Sequence, residues 1–308
     1  MYLIGVDGGG TKTESMVADL DGNIIATGEG GSANFRDLGI KEAVKNITEA
    51  VEKSLLEIKN KEISSIFIGA PAFAEEYKER EEEIRKEFLR NIKSFSINEE
   101  RVFIGSDQEV AFRAGTDKSD GVVVIAGTGS VSRGWNSGKE FKTDGWGYLT
   151  DSSGAYQIGQ KVYQRVIQSL DKREKETLLT EMVLEFFKAK TIIDLNKIIY
   201  QNNLIKNLAP LSLCANDAAK KGDVVAKNIL DDASKELAIA TKNTIEKLEF
   251  KKDFPLVLVG GLFRSDIFLN NFQREILENV PRVEIILLEK KSSKGAVKLA
   301  KEEYKKLK

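Results

Sequence analysis

Val6-Asp7-Gly8-Gly9-Gly10-Thr11-Lys12-Thr13 follows a short apolar run from Tyr2, and apolar residues resume at Met16, Val17, Ala18 and Leu20. The stretch reads as a strand, a glycine turn and a second strand. A phosphate group needs backbone N–H groups that it can approach closely, and consecutive glycines remove the Cβ atoms that would stand in the way. Thr11 and Thr13 add hydroxyl donors and Lys12 adds a point charge. Asp7, at the carboxyl end of its strand, is placed to orient Mg²⁺-bound water. No G-x-x-x-x-G-K-[ST] run occurs, and a strand rather than a helix follows the glycines. It is not a Walker A motif, and it reads as a phosphate loop of another kind, the alternative being a flexible glycine turn with an incidental Asp.

Working outward, Asp21-Gly22 is a two-residue hairpin signal leading into a strand over Asn23 to Gly28. From Ile40 the period changes: Ile40, Val44, Ile47, Val51, Leu55 and Ile58 recur at three or four, one face of a helix. A buried-type strand at Ile63 to Ile68 precedes a charged helix from about Ala74 to Arg90. A strand at Arg101 to Ile104 then ends at Ser106-Asp107 and opens a short helix to Ala114.

The second half restarts the pattern. Gly121 to Ala126 is a strand ending in Gly127-Thr128-Gly129-Ser130, and Val131 to Trp135 is its hairpin partner. After the loop Gly145-Trp146-Gly147-Tyr148, helical periodicity runs from Asp151 to Leu248. Strand Pro255 to Val259, Gly260-Gly261, helix Asp266 to Asn279, strand Val283 to Leu288 and a last helix from Ser293 complete the chain. Each half opens with strand, glycine turn and strand, followed by alternating helix and strand, which is a duplication of organisation rather than of residues. The pattern predicts an α/β protein of two domains with a boundary near Gly115 to Asp120, closely apposed around a cleft that would hold a ligand.

Gly127-Thr128-Gly129-Ser130 occupies in the second half the place that the first glycine loop has in the first, so the two together could grip one polyphosphate. Ser106-Asp107 supports two readings: an N-cap for the helix that follows, or a carboxylate base for a hydroxyl proton during phosphoryl transfer. Gly260-Gly261 could let backbone pass close to a flat ring, or be only a turn. Ala33-Asn34 and Gly145-Trp146-Gly147…Asp151 are polar loops, either plain surface or suited to sugar hydroxyls. Cys214 reads as inert packing, and the Glu75 to Glu83 charge run as a solvated helix face.

Composition narrows the chemistry. The 308 residues carry 47 Lys and Arg against 48 Asp and Glu, a formal net charge of -1, which gives no support to a nucleic-acid or anionic-membrane partner. No apolar run is long enough to span a membrane. There is no histidine and one cysteine, which removes His-based triads, zincin sites, intrachain disulfides and cysteine-only metal sites together. Acid–base work must fall to carboxylates, Lys or Tyr. The opening residues have neither the basic run nor the small-residue cleavage site of a leader, and a cytoplasmic location is expected. The Lys- and Glu-rich charge, with three Met, is a bias of thermophiles and equally of mesophiles with charge-rich helices.

These motifs, in this order, resemble the sugar-kinase/actin/heat-shock-chaperone ATPase superfamily. More narrowly they resemble its N-acetylglucosamine kinase and archaeal broad-specificity hexokinase branch, which includes glucosamine kinases and the ATPase activators of benzoyl-CoA reductase and 2-hydroxyacyl-CoA dehydratase. The likeness spans nearly the whole chain. It rests on Val6 to Thr13, Ser32-Ala33-Asn34, Ser106-Asp107, Ala126 to Ser130, Gly145-Trp146-Gly147, Asp151 to Tyr156 and Gly260-Gly261. It implies two ribonuclease-H-like, actin-like domains: 1–117, completed by the C-terminal helix 293–308, and a larger 118–292 domain with a helical insertion.

The resemblance also implies roles. Gly9, Gly10, Thr11, Lys12 and Thr13, with Gly127, Thr128 and Gly129, would hold ATP phosphates, and Gly260 and Gly261 would abut adenosine. Asp107 would be the base that accepts the sugar O6 proton. Asn34, Asp107, Ser130, Gly145 and Asp151 would contact the sugar, and Asp7 would hold Mg²⁺ through water. Homodimers are frequent in that branch. Three segments depart from its pattern: Asp151-Ser152-Ser153-Gly154-Ala155-Tyr156 replaces Asp-(Glu/Asp)-Gly-Ser-Ala-Tyr, the stretch between Gly147 and Asp151 is one residue shorter, and Gly69-Ala70-Pro71-Ala72-Phe73 replaces a Gly-Ala-Gly-type turn. All three fall near the expected sugar pocket.

The expected activity is ATP- and Mg²⁺-dependent phosphorylation of a hexose or amino-hexose, N-acetylglucosamine first, then glucose, glucosamine or mannose, at O6. The rivals are an activator ATPase, which would need cysteines for an iron–sulfur cluster, and a non-catalytic sugar sensor. With Asp7 only six residues after Met1, the DNA-binding segment that many such sensors carry before the first strand is not expected.

Overall fold

The computed structural model describes all residues except 202 and 290, together with the backbone but not the side chain of Glu75. It divides into two compact units, one of Met1–Ser119 with Leu288–Lys308, the other of Asp120–Leu287. Each is an α/β layer structure around one five-stranded sheet.

In the first unit β1 (Tyr2–Gly8), β2 (Thr13–Ala18) and β3 (Ile24–Gly30) form an antiparallel meander. After α1 (Phe35–Ser54), β4 (Ile63–Ala70) adds parallel to β1. The chain continues through α2 (Glu81–Asn91) to β5 (Val102–Ser106), parallel to β4, and α3 (Asp107–Gly115), giving the order β3-β2-β1-β4-β5. Asp7 pairs with Gly69 and Ala70 with Ser106, so the carboxyl ends of β1, β4 and β5 lie along one edge. Ligands bind at such edges in α/β sheets.

Strand alternation divides the core between the two faces. Ile4 and Val6 of β1 join Ile47 and Val51 of α1 and Phe88 of α2, whereas Leu3 joins Val110 of α3 and the C-terminal helix. A Cβ on Gly5 would collide with the backbone of Val297, so that helix lies directly on β1.

Three local expectations shift. The hairpin between β2 and β3 is longer than two residues. The Asp19 carboxylate accepts from the backbone N–H groups of Asp21 and Asn23, each at 2.9 Å, and holds a turn with Gly22 at φ 93. Helix α1 begins at Phe35 rather than Ile40, because Asn34 caps it and Gly39, at φ 71 and ψ 171, kinks it. The charged helix is broken: a π turn at Phe73–Tyr77 and a 3₁₀ turn at Lys78–Arg80 precede α2. Buried Phe73, with the Tyr77 hydroxyl donating to Phe35 O at 3.0 Å, pins that irregular stretch down. The charge run does pair within itself, as Arg80 does with Glu83 at 2.8 Å.

The second unit repeats the topology. β6 (Gly121–Ala126), β7 (Ser130–Asn136) and β8 (Lys139–Asp144) form the meander. The helical stretch follows: α4 (Ala155–Leu170), α5 (Leu178–Phe187), α6 (Ile192–Tyr200), α7 (Leu204–Leu208), α8 (Leu211–Lys220) and α9 (Val224–Leu248). β9 (Phe254–Val259) returns parallel to β6, and α10 (Asp266–Asn279) and β10 (Val283–Leu287) give the order β10-β9-β6-β7-β8. Helix α11 (Ser293–Lys306) then belongs to the first unit. β8 is absent from the sequence reading because Lys139 to Asp144 is an edge strand whose one apolar side chain is Phe141. No helix among the described residues is long and apolar enough to cross a membrane.

Candidate functional site

At the carboxyl edge of the first unit, Gly9 N–H donates to Lys12 O at 2.9 Å and closes the glycine turn. Gly9 O accepts from Ala33 N–H at 3.0 Å and seats the turn on the start of α1. Gly8 has no room for a side chain: a Cβ would lie 2.7 Å from Ala33 Cβ and 2.8 Å from Gly69 O. Gly10 has nothing within 4 Å, and Thr11 beside it is exposed, so the tip of the turn presents open backbone. Exposed Lys12 pairs with Glu29 at 2.9 Å, which raises its pKa chiefly through that hydrogen bond. Thr13 corrects an expectation: it is fully buried and its hydroxyl donates to Gly31 O at 2.7 Å, so it fastens the hairpin and has no donor left for phosphate.

Asp7 is half-buried at the end of β1. Burial, and then the nearby carboxylates of Asp107 and Glu14, lift its pKa from 3.8 to about 8, with Lys12 partly opposing. Asp107 opens α3 as its first residue, and the cap is Ser106, whose Oγ accepts from Glu109 N–H at 3.1 Å. The capping reading of Asp107 is thereby corrected. Its Oδ1 accepts from the Gln108 backbone N–H at 3.0 Å and from Gln108 Nε2 at 2.9 Å, which orients a half-buried carboxylate.

Asn34 Oδ1 accepts from Arg36 N–H at 3.1 Å and Nδ2 donates to Asp37 at 2.7 Å, leaving one N–H and one lone pair of the amide. Glu14 gives no sequence signal of its own. Its buried carboxylate receives Lys291 Nζ and the Ser293 hydroxyl, binding the glycine hairpin to the start of α11.

The carboxyl edge of β6 and β9 carries the second unit's loops. Gly127 N–H donates to Gly129 O at 3.0 Å. Ala155 N–H donates to Gly127 O at 2.9 Å and Tyr156 N–H to Thr128 O at 3.0 Å, so the turn rests on the N-terminus of α4. A Cβ on Gly154 would lie 2.5 Å from Thr128 O and 2.6 Å from Gly129 Cα. Glycine at 154 is what lets loop and helix touch. Gly127 has nothing within 4 Å and Thr128 is exposed.

Two expected sugar contacts turn inward. Ser130 is 3% exposed, donating to Asp144 Oδ2 at 2.9 Å and accepting from Ser153 N–H at 3.1 Å. Asp151 is 9% exposed, with Oδ1 accepting from the N–H groups of Trp146 and Gly147 at 3.0 and 3.1 Å. Its Oδ2 takes Ser130 N–H at 3.4 Å. Burial raises the Asp151 pKa, opposed most by the Gly147 N–H. Both residues clamp their own loops, because buried polar groups must find partners. Gly145, at φ 74, turns the chain where a side chain would meet Val131 at 2.8 Å, and its carbonyl accepts from Lys142 Nζ at 3.3 Å. Asp144, which the sequence reading missed, is the hub of this corner: it also accepts from Ser152 N–H at 3.1 Å and Ser152 Oγ at 2.9 Å.

Beside the Gly127-Thr128 turn lies a slot of about 460 Å³. Ala155, Ala209, Pro210, Leu213, Leu230 and Leu262 make its walls largely apolar, and Gly261 contributes backbone. Gly260 is not on that wall. Its φ of 120 and the collision that a Cβ would make with Ala126 O assign it to the turn that follows β9, packed against the end of β6. Sequence reading missed the walls from α8 and the Ala209-Pro210 turn before it, and Arg264, because their neighbourhood arises only in the folded unit. Larger cavities of about 640 and 630 Å³ sit at the Asp21–Asn23 turn and by α5, away from every glycine loop.

Residues 4–297 match the model of the BadF/BadG/BcrA/BcrD ATPase family. The chain is 31% identical over 309 residues to an N-acetylmuramic acid/N-acetylglucosamine kinase of Clostridium acetobutylicum, covering 98% of this chain and 99% of that protein. It is 32% identical over 315 residues to an N-acetyl-D-glucosamine kinase of Dictyostelium discoideum, covering 97% of each. A crystal structure of a candidate N-acetylglucosamine kinase from Chromobacterium violaceum superimposes with a TM-score of 0.72 at 22% identity, over 97% of this chain and 98% of that one, which shows a shared fold. Fold, family model and near full-length identity agree: the chain belongs to the BadF/BadG/BcrA/BcrD ATPase family.

Proposed function

We propose that this protein transfers the γ-phosphoryl group of ATP to the 6-hydroxyl of a hexose or amino-hexose, with N-acetylglucosamine the favoured substrate. The observation that carries this reading is identity above 30% to two amino-sugar kinases over essentially the whole chain. In the reaction the sugar O6 bonds to the γ-phosphorus, the bond to the β,γ-bridging oxygen breaks, and the hydroxyl proton passes to the Asp107 carboxylate. Gln108 orients that carboxylate. The exposed backbone at Gly9, Gly10 and Thr11, with Lys12, and that at Gly127, Thr128 and Gly129, would neutralise phosphate charge, and Gly261 and the apolar slot would take adenosine. Asn34 and Gly145 stay assigned to the sugar.

Asp7 suits Mg²⁺. Burial, and then the neighbouring carboxylates of Asp107 and Glu14, raise its pKa to about 8, and a bound cation would offset that cost of charging it. Mg²⁺ is ordinarily held by one or two carboxylates, waters and substrate phosphates, and Asp7 would be such a carboxylate. Bound there, Mg²⁺ would neutralise charge on the phosphates.

ADP release with Mg²⁺-ATP, measured against a panel of hexoses, amino-hexoses and sugar acids, tests the reading. N-acetylglucosamine should give the highest kcat/KM with phosphate on O6 of the product. No stimulation by any sugar would overturn it in favour of an activator ATPase or a sensor. The single cysteine supports the kinase over the activator, since Cys214 is buried within α8 and cluster ligation takes several thiolates.

A further inference from the structure

Asp144 closes β8 in a conformation that side chains rarely adopt. Its φ is 63, in the left-handed region that favours glycine, and Gly145 after it is left-handed as well, at φ 74. Its carboxylate does not serve that turn but reaches two other segments of the second unit. Oδ2 accepts from Ser130 Oγ at 2.9 Å and from Ser152 N–H at 3.1 Å, and Oδ1 accepts from Ser152 Oγ at 2.9 Å. Ser130 ends the Gly127-Thr128-Gly129 turn and begins β7, and Ser152 stands at the far end of the loop that Gly145 opens. Asp144 is buried, where these bonds are costly to lose. Asp151 makes a second, longer join. Its Oδ2 takes Ser130 N–H at 3.4 Å and lies where a Cβ on Gly129 would come within 2.5 Å of it. Ser152 is also the position at which this chain lacks an acid that the motif it resembles carries, and Asp144 brings a carboxylate back to it.

Away from these joins the two loops are open. A Cβ on Gly127 would meet nothing within 4 Å and Thr128 is exposed, as are Trp146, Tyr148 and Leu149 on the other loop. Segments with so few buried contacts lose freedom when a ligand seats on them. Where two such segments are fastened at one base, ordering the first orders the second, and the next ligand meets a loop already fixed. We propose that Asp144 is a positioning residue that makes the phosphate turn and the Gly145 loop one body, so that nucleotide and amino sugar each bind more tightly when the other is present. The factor is the same in both directions by linkage. The coupling rests on the phosphotransfer reading, which supplies both ligands, and Asp144 is the residue through which they cooperate.

Calorimetric titration of the whole protein with N-acetylglucosamine, alone and with saturating Mg²⁺ and a non-hydrolysable ATP analogue, reads the coupling as a ratio of dissociation constants. Wild type should bind the sugar at least about fivefold more tightly with the analogue present. Asp144→Gly keeps the left-handed turn and removes the carboxylate, and the ratio should fall to within about twofold of one. Asp144→Asn tolerates the same backbone, accepts where Oδ2 does and donates to Ser152 Oγ in place of the third bond, so it should retain the ratio. A loss caused only by damaged folding would lower the stoichiometry of binding and leave the ratio unmoved. Ser130→Ala breaks the same bond from its other end and decides the matter if the glycine variant fails to fold. An unchanged ratio in the variant that folds, or a ratio of one in wild type, overturns the coupling and leaves phosphotransfer standing. Failure of wild type to bind N-acetylglucosamine in either state overturns the sugar reading of the Gly145 loop, and the coupling with it.

Discussion

Asp7 and Asp107 stand at the carboxyl ends of parallel strands in one sheet, yet their surroundings suit them to different work. Asp107 is held by the Gln108 backbone and side chain at the first turn of a helix, which fixes where its carboxylate points. Asp107→Asn should therefore lower kcat by about 10²–10⁴ while nucleotide affinity, measured by calorimetry, stays near wild type. Turnover equal to wild type would remove it from the role of base. Asp7 carries the opposite liability. Between pH 3.8 and about 8 the folded chain keeps a proton on Asp7 that the unfolded chain has released. Stability is thus greatest below that window and falls as pH rises through it. In metal-free buffer Asp7→Asn should raise Tm, by more at pH 8 than at pH 5, in thermal melts across that range. A Tm gain that is constant with pH would show that the proton is not held there.

Among the elements, those with strong patterning were legible from sequence: β1, β9 and α10 fall within a residue or two of their expected bounds. Their core sides are continuous apolar faces, and packing rewards that pattern wherever they end up. Where conformation depends on a single backbone angle or on an edge, the sequence carries little. Gly39 kinks α1, a π turn interrupts the charged helix, and β8 pairs through its backbone with almost no apolar side chain. The candidate site divides in the same way. Glycine loops announce themselves, but Ser130, Asp151 and Thr13 look like free polar groups until folding supplies their partners. The slot walls from α8 have no local signature at all. Gly154 joins the two levels, since it is a helix cap that also seats the Gly127-Thr128-Gly129 turn. Gly154→Ala should cost about 1–3 kcal/mol in chemical denaturation and weaken nucleotide binding, because Thr128 and Gly129 must move to admit the methyl group. Unchanged ADP affinity in a destabilised variant would separate the turn from the nucleotide.

At the scale of the molecule, two units share one strand order, and this repetition was visible in the sequence as recurring organisation without recurring residues. The units are not equal in how the chain builds them. The second is continuous from Asp120 to Leu287, whereas the first is assembled from both sequence ends. Helix α11 covers Leu3, Phe67 and Val110, and the Arg113–Glu302 ion pair and the Lys298–Asp117 pair at 2.7 Å tie it to α3 and the turn beyond it. A chain ending at Ser292 should keep the second unit resistant to limited proteolysis and leave the first rapidly cut. Equal resistance of both units would show that α11 is dispensable.

The same arrangement has a consequence for biogenesis. Synthesis delivers the N-terminal strands first, but their second face cannot be covered until α11 has been made, whereas the interrupting unit has all its residues earlier. The order of folding on the ribosome should then invert the order of the sequence, with the middle maturing before the beginning. Until that last helix arrives, the nascent N-terminal sheet exposes the apolar face built on Leu3 and Phe67, the surface that a chaperone would have to shield.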